Sequence, residues 1–110
     1  MADQPNLNEL MKKAQEMQKK MQEAQDELSK TELTGESGGG LVKITMTGRH
    51  DAVKVTLSDE VLKESKEILE DLIAAAINDT TRKVEKASQS KIIDLTKNMG
   101  LPAETTQDEG

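Results

Sequence analysis

The chain has 110 residues, of which 34% are hydrophobic and none is aromatic, and its formal net charge at pH 7 is −6. A chain of this length forms one small domain, and without Phe, Tyr or Trp it buries little apolar area as a monomer, which favours an oligomer. The absence of cysteine excludes disulfides, thiolate metal sites and cysteine nucleophiles. The N-terminus lacks the apolar segment of a secretory signal, and the longest apolar run, 72–77, is too short to cross a bilayer, so we expect a cytoplasmic protein.

The first predicted element is a helix from about residue 7 to about residue 30. Asn6 is a suitable N-cap, and Glu9 follows it three residues later, as in a capping box. Apolar residues then recur at spacings that alternate between three and four: Leu7, Leu10, Ala14, Met17, Met21, Ala24 and Leu28. This heptad seam predicts that the helix packs against a partner helix.

The alternation of apolar and polar residues predicts three short strands after this helix. They span residues 31–37, 41–47 and 53–57. In the second strand, Val42, Ile44 and Met46 share one face and polar residues occupy the other. An antiparallel meander with one apolar face is not stable alone in water, so helices must cover it.

The tract from Leu33 to Lys43 contains three consecutive glycines between the first two predicted strands. Glycine adopts the positive φ values that a tight chain reversal needs, so the tract predicts a hairpin rather than a linker. The tract lacks the Gly-Lys-Ser/Thr end of a phosphate-binding loop and does not precede a helix. Nucleotide binding is therefore not predicted here.

The last predicted element is a long helix that Ser58 caps, with Asp59 and Glu60 in its first turn, where the helix dipole favours acids. No Gly or Pro interrupts the sequence between Ser58 and Met99. We therefore predict one continuous helix, with a break near residues 88–90 as the alternative.

The predicted fold class is α+β, with a long N-terminal helix, a three-stranded antiparallel meander and a long C-terminal helix. Gly100 and Pro102 end the second helix, so a single domain spans residues 1–102. Residues 103–110 contain three acids and no base, and we expect them to form a disordered acidic tail. Both helices are longer than a small domain is wide, which implies a homodimer from which the helices project.

Catalytic and metal chemistry find little support in the sequence. His50 is the only histidine and lies in a predicted turn, where an exposed position is expected. Glu70 and Asp71 are adjacent on a helix and do not face each other. One histidine and scattered carboxylates do not form a metal-ligand set. The sequence therefore predicts no enzyme, no metal site and no cofactor.

Two groups of basic residues are candidates for contact with phosphate, although the chain as a whole is acidic. They are Lys12, Lys13, Lys19 and Lys20 on the first helix and Arg82, Lys83 and Lys86 on the second. Glutamates lie four residues before Lys13 and Lys20, so a solvated face with self-paired charges is the alternative for the first group. In the second group, Arg82 and Lys86 repel each other, and Asp79 offsets only part of the charge.

Several segments together resemble the YbaB/EbfC family of bacterial nucleoid-associated proteins, over roughly residues 7–102. They are the tract 33–43, Gly48, the segment 71–79, and the Met- and Gln-rich segment 11–21. The resemblance implies a tweezer-like homodimer that binds duplex DNA through its projecting first and last helices, where the seven basic residues lie. It also implies modest regulation of gene expression. Many members end in a short apolar and aromatic tail, whereas the acids of 103–110 would repel phosphate.

Two hypotheses follow for the function. In the first, a nucleoid-associated homodimer clamps duplex DNA electrostatically, with little base specificity. In the second, the chain is a protein–protein adaptor for a replication or recombination protein, and its association with DNA is indirect. The acidic net charge and the absence of aromatic stacking residues favour the second hypothesis.

Overall fold

The computed structural model describes residues 6–98, and its elements follow the order α-β-β-β-α, which confirms the predicted fold class. The elements are α1 (Leu7–Lys30), β1 (Glu32–Ser37), β2 (Val42–Thr47), β3 (Ala52–Leu57) and α2 (Lys66–Asn98), with a 3-10 turn at Val61–Lys63. Gly100, Pro102 and residues 103–110 lie outside the described residues, and so do the predictions that concern them.

Helix α1 begins and ends where its sequence predicts. The backbone N–H of Asn8 donates to the Asn6 side-chain oxygen at 3.0 Å, so Asn6 is the N-cap. At the other end, Thr31 is extended, and its N–H donates to the Leu28 carbonyl at 3.0 Å. Ala24 is the only residue of α1 that is buried, and Leu7 is 68% exposed. The N-terminal part of α1 therefore projects from the domain.

The three strands form the predicted antiparallel meander, in the order β1-β2-β3. Ser37 and Val42 are the last pair of the first hairpin, and the three glycines between them all have positive φ, from 62° to 100°. Val42, Ile44 and Met46 on β2 are buried, as their alternation predicts. They form the core together with Val61, Ala76 and Val84.

Helix α2 covers β1 and β2 and approaches β1 closely at Gly35. A Cβ atom on Gly35 would lie 2.7 Å from the Thr80 Cα and would also collide with the Thr80 amide nitrogen. The buried Thr80 hydroxyl lies 2.7 Å from the Ala76 carbonyl oxygen and 3.0 Å from that of Ile44. Only glycine at position 35 allows the helix backbone to lie this close to the strand.

The second helix begins at Lys66, so the predicted start at Ser58 is wrong. The Ser58 hydroxyl does accept from the Val61 N–H at 3.1 Å, but the turn that it caps ends at Lys63. The chain leaves the sheet at β3, whereas α2 lies over β1 and β2, so residues 58–65 have to cross the width of the sheet, about 10 Å. Ser65 then accepts from the Ile68 N–H at 3.2 Å in the first turn of α2.

From Lys66, α2 is continuous to Asn98, so this segment is one unbroken helix, as predicted, and has no break near 88–90. The molecule is elongated, with a radius of gyration of 20.3 Å and extents of 75 × 31 × 16 Å. A compact chain of about 100 residues has a radius of gyration of about 13 Å. Within residues 6–98, neither helix is long and apolar enough to cross a membrane.

Candidate nucleic-acid interface

The first candidate group, the α1 lysines, comprises Lys12, Lys13, Lys19 and Lys20. All four are exposed on the projecting part of α1. Three ion pairs occur within residues 6–98, and none of the α1 lysines takes part in them. The i,i+4 pairs that the self-paired alternative requires are thus not formed, and the four ammonium groups face solvent.

The three predicted bases of α2 differ in the contacts that they make within the protomer. Lys83 Nζ lies 3.3 Å from Asp79 Oδ2 and donates to the Thr34 carbonyl of β1 at 3.2 Å. Arg82 and Lys86 are exposed and take part in none of the ion pairs found within residues 6–98. Lys83 therefore links α2 to β1. Arg82 and Lys86 are the members of this group whose charges stay available to an external anion.

Asp79 and Lys83 together form what we call the edge clasp on β1. Asp79 Oδ2 accepts a hydrogen bond of 2.9 Å from the Glu36 N–H, next to the bond between Lys83 and Thr34. Strand β1 pairs with β2 on one side only, so the clasp satisfies backbone groups on its other edge. It also fixes α2 to the glycine-containing hairpin.

The edge clasp lowers the pKa of Asp79 below its ordinary value of 3.8, chiefly through the Glu36 N–H and further through Lys83 and Arg82. A depressed carboxyl pKa contributes stability above the unfolded value, and this stability is lost as the pH falls through the folded value. We expect the gap in unfolding free energy between the wild type and Asp79→Asn to be constant near neutral pH and to shrink below about pH 4. Urea unfolding across pH measures this gap, and a gap that persists unchanged in acid would contradict the assignment.

An open cleft of about 570 Å³ lies between α1 and α2, near the C-terminal end of α1. Glu27 and Lys91 form an ion pair across it, and Lys20 and Asp94 line the same cleft. Its lining includes four acids and three lysines: Glu23, Asp26, Glu27 and Asp94 with Lys20, Lys30 and Lys91. This mixture of charges makes the cleft itself a poor site for phosphate.

The two groups of exposed bases lie at different places on one protomer. Lys20 lines the cleft together with Leu95, whereas Arg82 lies 13 residues before Leu95 on α2, about 20 Å along the helix axis. Lys97 was not among the predicted bases, but it is exposed and falls within about 60° of Arg82 around an ideal helix. The spacing of 15 residues at about 100° per residue is the sequence signal for this shared face.

The remaining predictions about chemistry concern His50 and metals. His50 is exposed in the turn between β2 and β3, as predicted, and adopts a φ of 66°. Among residues 6–98 there is no group of three or more His, Cys, Asp or Glu side chains that could hold a metal ion.

Comparison with known proteins identifies the family. The sequence profile of the YbaB/EbfC DNA-binding family matches residues 3–99. A protein of Hahella chejuensis described as nucleoid-associated is 55% identical over 97 residues, which cover 88% of this chain and 90% of that protein. One from Legionella pneumophila strain Philadelphia 1, described in the same way, is 52% identical over 104 residues, or 94% of this chain and 93% of that protein.

A solved structure shares the fold. The crystal structure of an uncharacterized protein from Helicobacter pylori superposes with a TM-score of 0.72 at 23% sequence identity, and the match covers 84% of this chain and 98% of that one. The family is a DNA-binding family and not an enzyme family, so the prediction of a non-enzyme is confirmed. On the profile match and these two close relatives, the chain belongs to the YbaB/EbfC DNA-binding family.

Proposed function

We propose that this chain is a nucleoid-associated protein of the bacterial cytoplasm, which as a homodimer clamps duplex DNA between its projecting helices. The observation that carries this proposal is the row of α1 lysines, all exposed and all outside the ion pairs found in residues 6–98. Each lysine that neutralises a phosphate releases condensed counterions, and this release favours binding. Arg82, Lys86 and Lys97 on α2 add further positive charge.

Because these residues are lysines that contact phosphate, we expect DNA binding with little base specificity. Contacts from lysine to phosphate fix the position of a protein on the duplex but carry no sequence information. The chain has no aromatic side chain to stack on bases, and the elements between residues 6 and 98 include no helix-turn-helix pair. The effect on gene expression that the family resemblance implies would then come from occupancy of the duplex.

A salt titration tests the clamp directly. Duplex affinity, measured by fluorescence anisotropy with a labelled DNA of about 30 base pairs, should fall linearly with salt on logarithmic axes, because phosphate contacts release counterions. The α1 lysines of two protomers contribute up to about −7 to this slope, at about −0.9 per phosphate contact. A single strand of equal length is the control. If no duplex binding is found even at low salt, the proposal fails for the isolated protein.

The homodimer is proposed on an apolar surface that α2 leaves uncovered. Val55 on β3 pairs with the buried Ile44 and so lies on the same face of the sheet, yet Val53 and Val55 are 51% and 55% exposed. Ile68 and Ile77 on α2 are also exposed. Exposed apolar side chains on a sheet and on the helix that packs against it are typical of a protein–protein contact, and a second copy would bury them symmetrically.

Replacing Val55 with aspartate should convert the dimer to a monomer, because the carboxylate would be buried in the contact without a partner. The fold of the protomer should persist, since Val55 is already more than half exposed. Sedimentation equilibrium measures the mass. Thr56→Asp adds the same charge on the other face of β3 and should leave the dimer intact. Equal behaviour of the two variants would count against this interface.

One structural observation supports the alternative hypothesis of a protein–protein adaptor. The apolar seam on the N-terminal part of α1 is exposed, as Leu7 and Leu10 show, so the helix partner that the heptad predicts is absent there within the described residues. A helix of another protein could bind this seam. Loss of DNA binding on neutralisation of the α1 lysines would separate the clamp from this alternative.

A further inference from the structure

The α1–α2 cleft places opposite charges on the two facing helices. Lys13, Lys20 and Glu27 recur every seven residues and so lie nearly on one line along α1. Glu27 pairs with Lys91 of α2, and Lys20 shares the cleft with Asp94. Lys13 is the next charge on this line, and α2 is described only to Asn98, about one turn beyond Leu95.

The sequence that follows α2 is negatively charged, so it could pair with the next lysine on this line. Residues 99–110 contain Glu104, Asp108 and Glu109 and no base. Glu104 lies six positions after Asn98, and six extended residues span up to about 20 Å. The rise of α1 from Lys20 to Lys12 is only about 12 Å. The acids can therefore reach every α1 lysine from the end of α2.

We propose that the acidic segment 103–110 binds the α1 lysines of its own chain and competes there with DNA phosphate. The competition rests on the proposed function, whereas the contact itself does not. A second copy of α1 is a poorer occupant of this line, because it would add the same lysines.

The contact can be tested without DNA. Because the chain has no cysteine, Thr106→Cys gives a unique site for a nitroxide spin label. In about 50 mM salt the label should broaden the amide NMR signals of residues 12–20, and in about 0.5 M salt the broadening should disappear through screening. It should also disappear in a neutralised variant that carries Glu104→Gln, Asp108→Asn and Glu109→Gln. Absence of broadening in low salt, or broadening that survives neutralisation, would overturn the proposal.

The competition is tested by duplex affinity. The neutralised variant should bind a labelled duplex about fivefold more tightly than the wild type in low salt, with the difference lost in high salt. The control variant carries Glu64→Gln, Glu67→Gln and Asp71→Asn, the same change in net charge about 40 Å away at the other end of α2. An equal gain in the control would show a net-charge effect and overturn the competition.

The two proposals fail separately. If neither the wild type nor the neutralised variant binds duplex while the broadening is present and salt-dependent, the clamp is wrong and the contact stands. If the wild type binds duplex with the expected salt dependence but shows no broadening, the clamp stands and the contact is wrong.

Discussion

Changing the four α1 lysines to glutamine should lower the affinity for duplex DNA at least about 100-fold at about 0.1 M salt, because each lost phosphate contact removes about 0.9 from the salt slope. The slope itself should become shallower by up to about 7, since two protomers lose four contacts each at about 0.9 per contact. Folding should be unaffected, because all four side chains are exposed. Anisotropy across salt measures both quantities.

The control for this prediction removes the same charge from another part of the surface. Lys43, Lys54, Lys63 and Lys66 are exposed on the sheet and around the start of α2, away from the projecting part of α1. Their change to glutamine should lower affinity less than about threefold, because charges beyond the Debye length are largely screened. Equal losses in the two variants would mean that net charge governs binding and that α1 has no special role.

The same pair of variants decides between the clamp and the adaptor. If the lysine-to-glutamine variant of α1 still associates with DNA in cell extract as the wild type does, the association is indirect. If binding is lost in both purified protein and extract while the dimer mass is kept, the lysines contact DNA themselves. The exposed seam of α1 would then need a separate explanation.

Periodicity along the chain was sufficient to predict most of the fold. The seam of α1, the alternation in β2 and the glycines of the first hairpin each specify a local geometry, and each is confirmed. The start of α2 was not predictable in this way, because Ser58 and Ser65 both have an acid within the next two residues and both cap a helical turn. The position of α2 over β1 and β2, rather than over β3, decides between them, and local sequence does not contain that information.

In the candidate site, too, some features follow from local sequence and others depend on the tertiary fold. The exposure of the α1 lysines follows from the seam, because residues away from it face solvent. The role of Lys83 does not follow, since its partner Thr34 is 49 residues away. Likewise, the alternation in β3 indicates an apolar face at Val53 and Val55 but not that α2 leaves it uncovered.

The second large effect is expected for Gly35→Ala, which should lower the free energy of unfolding by about 3 kcal/mol, at the upper end for overpacking. The added Cβ would meet the Thr80 backbone as well as its side chain, so α2 has to move away from β1. Movement of α2 would weaken the bonds of Thr80 and of the edge clasp together. For this reason Thr80→Ala should not restore the lost stability.

Gly39→Ala is the matched control for Gly35→Ala. Gly39 lies in the same hairpin with a φ of 68°, but a Cβ there meets no atom within 4 Å. Its substitution should cost only the strain of positive φ, about 1 kcal/mol. Urea unfolding of both variants at one protein concentration, which keeps dimer coupling constant, measures the difference. If Gly35→Ala proves no more costly than Gly39→Ala, the sheet can shift to admit the methyl group, and contact with Thr80 is not what requires glycine at position 35.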